Sequence, residues 1–278
     1  MTNFCHITPT SGLDIFASCR THHLTLAHLV EQDPVYAEWY SKLPSGTINI
    51  MDNSAFEMYK QGRPMYPTEK LMTMGTKVNA DYIVMSDYPG EHSSITIQSA
   101  ERMAPELIDA GFGTFFVPQS LVGDLEDLIY AFSWAANSDL VDYIGVSILA
   151  VPNAYRVEKG NKLQRFLSRW KFMNELEQRG ILDDIINNDK KMHFLGMVDG
   201  PNEIMLVKDY LDVIDTWDSS AAVWGGFCGI GFDGSPSGLI DGKNEIEVDF
   251  SDQNATIDQI ALAVKNVNYI DNLLEMYS

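Results

Sequence analysis

Short apolar runs alternate with longer stretches of helical periodicity along nearly the whole chain, and this rhythm restricts the fold more than any motif does. Two strands joined through a helix run in the same direction, so repeated βα units build a parallel sheet. The runs predict strands over residues 3–7, 47–51, 82–85, 114–117, 143–147, 192–195 and 213–217, with an eighth at 245–250. Helices fit between them at 22–31 with 34–42, 67–78, 94–110, 125–137, 163–179, 201–211 and 257–276. Eight such units in 278 residues fit a single-domain (β/α)8 TIM barrel, with loop insertions at the carboxyl ends of the strands. A doubly wound open sheet has the same element counts. No GxGxxG follows the first strand, which disfavours the dinucleotide-binding version of that sheet.

In a barrel of this kind, side chains at the carboxyl ends of the strands converge on one site, so the chemistry to weigh lies there. Asp52 follows the second predicted strand, Asp87 the third and Gln119 the fourth; Gly145 to Ser147 end the fifth, and Asp218 ends the seventh. Two carboxylates facing one pocket can divide labour, one staying ionised while the other handles protons. Asp87 and Gln119 add an acceptor and a two-faced amide, which suit the donor and acceptor edge of a nucleobase. Phe56, four residues beyond Asp52, could stack on a flat base. His193 begins a strand and reads either as a proton shuttle aimed into the pocket or as a satisfied histidine at a strand end. The cluster His22, His23 and His28 lacks HExxH spacing and is read as surface helix, and no metal site is expected.

Charge bears on the partner. The formal net charge of −20 repels a polyanion before any local contact forms. Against this, Arg156, Lys159, Lys162, Arg165, Arg169 and Lys171 fall within one short stretch that holds a single acid, Glu158. That stretch is either an ordinary basic helix face or a phosphate-contacting patch. No apolar run reaches the roughly 20 residues that span a bilayer, and the first fifteen residues lack a secretory pattern, so a soluble, cytoplasmic protein without membrane partners is expected. Cys5, Cys19 and Cys228 are odd in number, widely spaced and without a CxxC pair, so they read as free thiols. The glycine-rich run from Gly225 to Gly242 reads as a long loop over the barrel mouth, and residues 149–162 as a second loop beside the basic patch.

The order of the strand-end segments resembles the tRNA-guanine transglycosylase superfamily, whose members carry DSGGFQ, a strand ending in DE before prolines, GIVQGG, a glycine-containing strand end, a [YH]LxG strand and a DCxxPTR segment. The matching segments here are Asp52-Asn53-Ser54-Ala55-Phe56-Glu57, Met85-Ser86-Asp87-Tyr88-Pro89, Phe116-Val117-Pro118-Gln119-Ser120, Tyr143-Ile144-Gly145-Val146-Ser147, His193-Phe194-Leu195-Gly196 and Trp217-Asp218-Ser219-Ser220. The paired glycines of the first motif are Ser54 and Ala55 here, and the family's CxCxxC zinc site is absent. The chain is therefore similar to the divergent, zinc-free members associated with phage and DNA modification.

The resemblance implies Asp218 as the nucleophile, Asp52 as the proton-transfer group, and Asn53, Asp87, Gln119, Gly145, Val146, Phe56 and His193 around the base. It implies a nucleic acid, DNA or RNA, and a free nucleobase of the 7-deazaguanine type as partners, with no cofactor and with a homodimer as an open assembly state. Alternatives from the residues alone are a glycosylase that releases the base to water, an enzyme of free nucleosides or nucleotides, and a non-catalytic nucleic-acid-binding barrel.

Overall fold

The computed structural model describes residues 2–197, 200–232 and 255–277. Its centre is one sheet of eight parallel strands: β1 (Asn3–His6), β2 (His22–Leu26), β3 (Ile48–Asp52), β4 (Tyr82–Val84), β5 (Gly113–Phe116), β6 (Tyr143–Ser147), β7 (Lys191–Leu195) and β8 (Thr216–Ser219). The ladder runs β1-β8-β7-β6-β5-β4-β3-β2, so the first strand pairs with the last. β1 and β2, the two ends of that order, also lie against each other, and the sheet curls into a nearly closed (β/α)8 barrel. The seam between them carries no ladder among the described residues.

Period two explains why these short runs become strands. One set of alternate side chains, Cys5, Leu24, Leu26, Ile50, Val84, Phe115, Val117 and Tyr143, fills the barrel interior. The other set, including Phe4, Met51, Ile83, Phe116, Ile144, Phe194 and Trp217, points outward into the layer shared with the helices. With both faces covered, the strands read as continuous apolar runs. At the amino end of the barrel the Lys191 ammonium lies 5.0 Å over the Tyr82 ring and 5.2 Å over the Tyr143 ring.

The helices are α1 (Leu13–Phe16), α2 (Ala27–Gln32), α3 (Pro34–Tyr40), α4 (Ala55–Lys60), α5 (Thr68–Lys77), α6 (Ser93–Asp109), α7 (Leu125–Ala136), α8 (Ala150–Ala154), α9 (Lys162–Gln178), α10 (Ile181–Asn187), α11 (Asn202–Leu206), α12 (Ala221–Phe227) and α13 (Ile257–Tyr277). None of the described helices is long and apolar enough to cross a membrane.

Three expectations are corrected. Residues 22–26 form β2 rather than the start of a helix, because Leu24 and Leu26 alternate into the interior and the segment pairs in register with β3 from His22↔Ile48 to Leu26↔Asp52. His23 and His28 are consequently buried rather than on a surface helix. β2 is the eighth strand; residues 245–250 lie outside the described residues. The glycine-rich run does not start as a loop, since Gly225 and Gly226 belong to α12. A β-carbon on Gly226 would fall 2.3 Å from Ala263 of α13, so glycine is what allows the two helices to touch. Residues 233–242 of that run are outside the described residues. The stretch 149–162 contains α8 and is not a plain loop.

Candidate active site at the carboxyl ends of the strands

Asp218 lies within β8, opposite Cys5 of β1 and facing the interior. Its Oδ1 accepts from the backbone N–H of Gly196 at 3.2 Å and stands 2.9 Å from His193 Nε2. The other imidazole nitrogen, Nδ1, is 2.6 Å from Thr216 Oγ1, and Thr216 in turn bonds the Tyr143 hydroxyl. With Asp218 ionised, this chain is satisfied when His193 donates through Nε2 and accepts through Nδ1. His193 is fully buried, so of its two readings the structure gives the one inside the barrel, with both ring nitrogens partnered. Oδ2 of Asp218 makes no hydrogen bond among the described residues.

The Gly196 turn that presents this N–H is held from behind. Its φ of +70° is a conformation that side-chain-bearing residues rarely adopt. Its carbonyl accepts from Trp217 Nε1 at 2.7 Å and from Arg169 Nη2 at 2.8 Å. Arg169 is therefore corrected from a surface phosphate ligand to a core residue. It is 0% exposed, ion-paired to the equally buried Glu203 at 2.7 Å, and bonded through Nη1 to the carbonyls of Val146 and Leu195. The sequence hid this because the apolar residues of α9 (Lys162–Gln178) are spread around the helix, with Leu163 and Trp170 exposed, and do not mark which face is covered.

Across the mouth, Asp52 ends β3 and accepts at Oδ2 from the Ser54 N–H at 2.7 Å. Ser54 begins α4 at φ +57°, a position where the resembling family has glycine. Two contacts with His28 hold it there: the His28 N–H donates to Ser54 Oγ at 3.1 Å, and His28 Nδ1 lies 2.9 Å from the same oxygen. Burial pushes the Asp52 carboxyl well above the usual carboxylate range. The charges of Glu57, Asp87 and Asp218 push it in the same direction. Burial raises the Glu57 carboxyl as well, and lowers His28 to about 4.

Asp87, just beyond β4, is buried with both oxygens occupied: Oδ1 accepts from Asn53 Nδ2 at 2.8 Å and Oδ2 from Gln119 Nε2 at 2.5 Å. Asn53 Nδ2 also donates to the Met85 carbonyl at 2.6 Å. Burial raises the Asp87 carboxyl to about 6 against the pull of these two amides. Thus Asp87 and Asp218 are both brought within electrostatic reach of Asp52, with Asn53 and Gln119 beside Asp87.

The remaining expected positions spread around this centre. Gly145 stands in register with His193, and Val146 points outward with its carbonyl held by Arg169. Phe56 is 51% exposed on α4, with the Lys60 ammonium 5.9 Å over its ring. Arg156, Lys159 and Lys162 are exposed and Arg165 is half-buried, around the start of α9. Cys5, Thr216, Gly196, Glu57 and His28 were not picked out from the sequence for this site. Of these, Cys5 lies in the first predicted strand, and Glu57 and Gly196 lie within strand-end segments that carry the resemblance. Burial, then the Asp218 charge, raises the Cys5 thiol well above its ordinary range, which keeps it neutral.

No family model matches the chain, and no curated protein matches it. Solved structures similar to it include RipC from Yersinia pestis, at 12% identity over 79% of this chain and 89% of that one, with a TM-score of 0.45. Another is phosphoribosyl anthranilate isomerase from Thermotoga maritima, at 12% identity over 97% and 100%, with a TM-score of 0.48. Neither likeness bears on chemistry; the barrel is read from its own strand order.

Proposed function

We propose that this chain is an enzyme that cleaves an N-glycosidic bond in a nucleic acid and exchanges the base, in the manner of the transglycosylase superfamily its motifs resemble. Asp218 Oδ2 attacks the anomeric carbon as the bond to the base nitrogen breaks, giving a glycosyl ester. Asp52 gives its proton to the departing base. An incoming base of the 7-deazaguanine type then attacks the same carbon, returns a proton to Asp52 and releases Asp218, so the configuration is retained.

The observation that carries this reading is the contrast between the two carboxyl groups. Asp218 is fixed by donors from His193 and Gly196, whereas Asp52 is driven toward its protonated form by burial and acidic neighbours. Asp87 and Gln119, already joined, offer the hydrogen-bonding edge for a base that enters between them and Asp52. The test is mass spectrometry of the protein incubated with candidate oligonucleotides and free bases. A released base and a trapped protein–sugar adduct are expected, and full activity in Asp218→Asn would end the assignment.

A second reading, a free nucleoside as substrate, is favoured by the net charge of −20. An oligonucleotide that fails to bind even at low salt would select it.

A further inference from the structure

Arg169 fixes the height of α9 relative to the barrel. Its guanidinium bonds the carbonyls of Val146, Leu195 and Gly196, which mark the carboxyl ends of β6 and β7. α9 begins seven residues earlier, at Lys162, and a helix rises about 1.5 Å per residue, so about 10 Å of helix separates its start from the residue anchored at the strand ends. The β6–α9 connection therefore forms a raised wall on the mouth side of the barrel. Through Gly196 that wall is two hydrogen bonds away from Asp218.

The wall is cationic in an acidic protein. Arg20, Arg63, Lys70, Arg169 and Arg179 are each paired with a carboxylate. Among the described residues, Arg156, Lys159, Lys162 and Arg165 have no ion-pair partner. Arg156 lines a cleft of about 300 Å³ with Tyr155, Glu158, Asn161, Gln164 and Lys171, a volume at the small end of the roughly 300–1,000 Å³ of ligand sites, and Lys159, Lys162 and Arg165 are neighbours of that lining along the chain. Lys171 donates to Gln164 Oε1 at 3.2 Å, and Glu158 is the one acid on the cleft. The Arg156 guanidinium packs against Gly123 of the β5–α7 loop, whose N–H donates to the Asn153 carbonyl, so the wall is joined to its neighbour on the rim.

We infer that this wall is a track for the phosphodiester backbone of a single strand, which holds the strand at the barrel mouth while the target nucleotide turns inward toward Asp218. The inference rests on the glycosidic reading above and names the substrate as a polymer rather than a nucleoside. Four unpaired cations on one side of the mouth give a place where the repulsive net field is locally reversed, and phosphate contacts do not depend on the base sequence.

The test uses the full chain and a short fluorescein-labelled single-stranded oligonucleotide, with anisotropy titrations across a series of salt concentrations. Wild-type affinity is expected to fall steeply with salt. In the variant R156Q/K159Q/K162Q/R165Q the slope of log K against log salt should shrink by about 3, at roughly 0.7 per lost single-strand contact, with at least about a tenfold loss of affinity at low salt. Asp218→Asn should bind with the wild-type slope. An unchanged slope in the quadruple variant overturns the track, as does a mononucleotide that competes as strongly as the oligonucleotide. Circular dichroism of the quadruple variant separates lost binding from lost folding. If the quadruple variant loses the slope but no base is released by wild type, the track stands and the glycosidic reading fails. If wild type releases base and the quadruple variant does so with unchanged KM, the chemistry stands and the track fails.

Discussion

The β7–β8 side of the mouth and the β3–β4 side each hold an aspartate at a strand end, and their surroundings are opposite. Around Asp218 are donors: an imidazole and a backbone N–H, the latter clamped from behind by Trp217 and Arg169. Around Asp52 are acids, with one backbone N–H as its hydrogen-bond donor. The difference teaches that a barrel can give two identical side chains opposite surroundings, donors for one and burial among acids for the other, by choosing which neighbours the other strands supply. It also explains why the clamp on Gly196 uses so much buried polarity: the N–H of a left-handed turn is only as well placed as the carbonyl behind it.

Replacing Asp218 by Asn should break the comparison most completely. It keeps the shape but removes the attacking oxygen, and base release in single-turnover assays should fall about a thousandfold or more. Arg169→Met attacks the same side from behind. Glu203 would lose the buried guanidinium it pairs with at 2.7 Å, and chemical denaturation should report a loss of about 3–5 kcal/mol, most of it regained in Arg169→Met/Glu203→Leu.

On the β3–β4 side, Asp87 titrates near 6 in the folded protein and near 3.8 unfolded, so between these values the folded state holds a proton that the unfolded chain has released. Stability from this group is therefore greatest at low pH and is lost as pH rises through that window, by on the order of 3 kcal/mol. Asp87→Asn should remove that part of the pH dependence of the denaturation midpoint. The smallest effect is expected from Trp217→Phe, which deletes one donor to Gly196 and leaves Arg169 in place. A loss of about 1 kcal/mol in kcat, with KM unchanged, would show the clamp acting on Asp218 alone.

The barrel was legible in the sequence because most of its strands stand as short apolar runs between helical stretches, and the helices 125–137, 163–179 and 257–276 were read within a residue or two of their ends. β2 was not, since its two histidines and threonine weaken the apolar signal and it runs directly into α2. The strand-end acids were legible from position alone. The Gly196 clamp was not, because its members come from α9, β7 and β8 and meet only through the fold. Nor could composition tell Arg169 from its cationic neighbours; burial beside Glu203 separates them.

The strand order has a consequence for synthesis. Among the described residues β1 finds its ladder partner only in β8, and His6 at its end is held by Asp271 of α13, itself bonded to Arg20. A nascent chain emerging from the ribosome must carry its first strand unmatched for more than two hundred residues, until Thr216–Ser219 arrives. Completion of the cylinder thus waits for β8, and a product stopped before it has no way to finish the sheet.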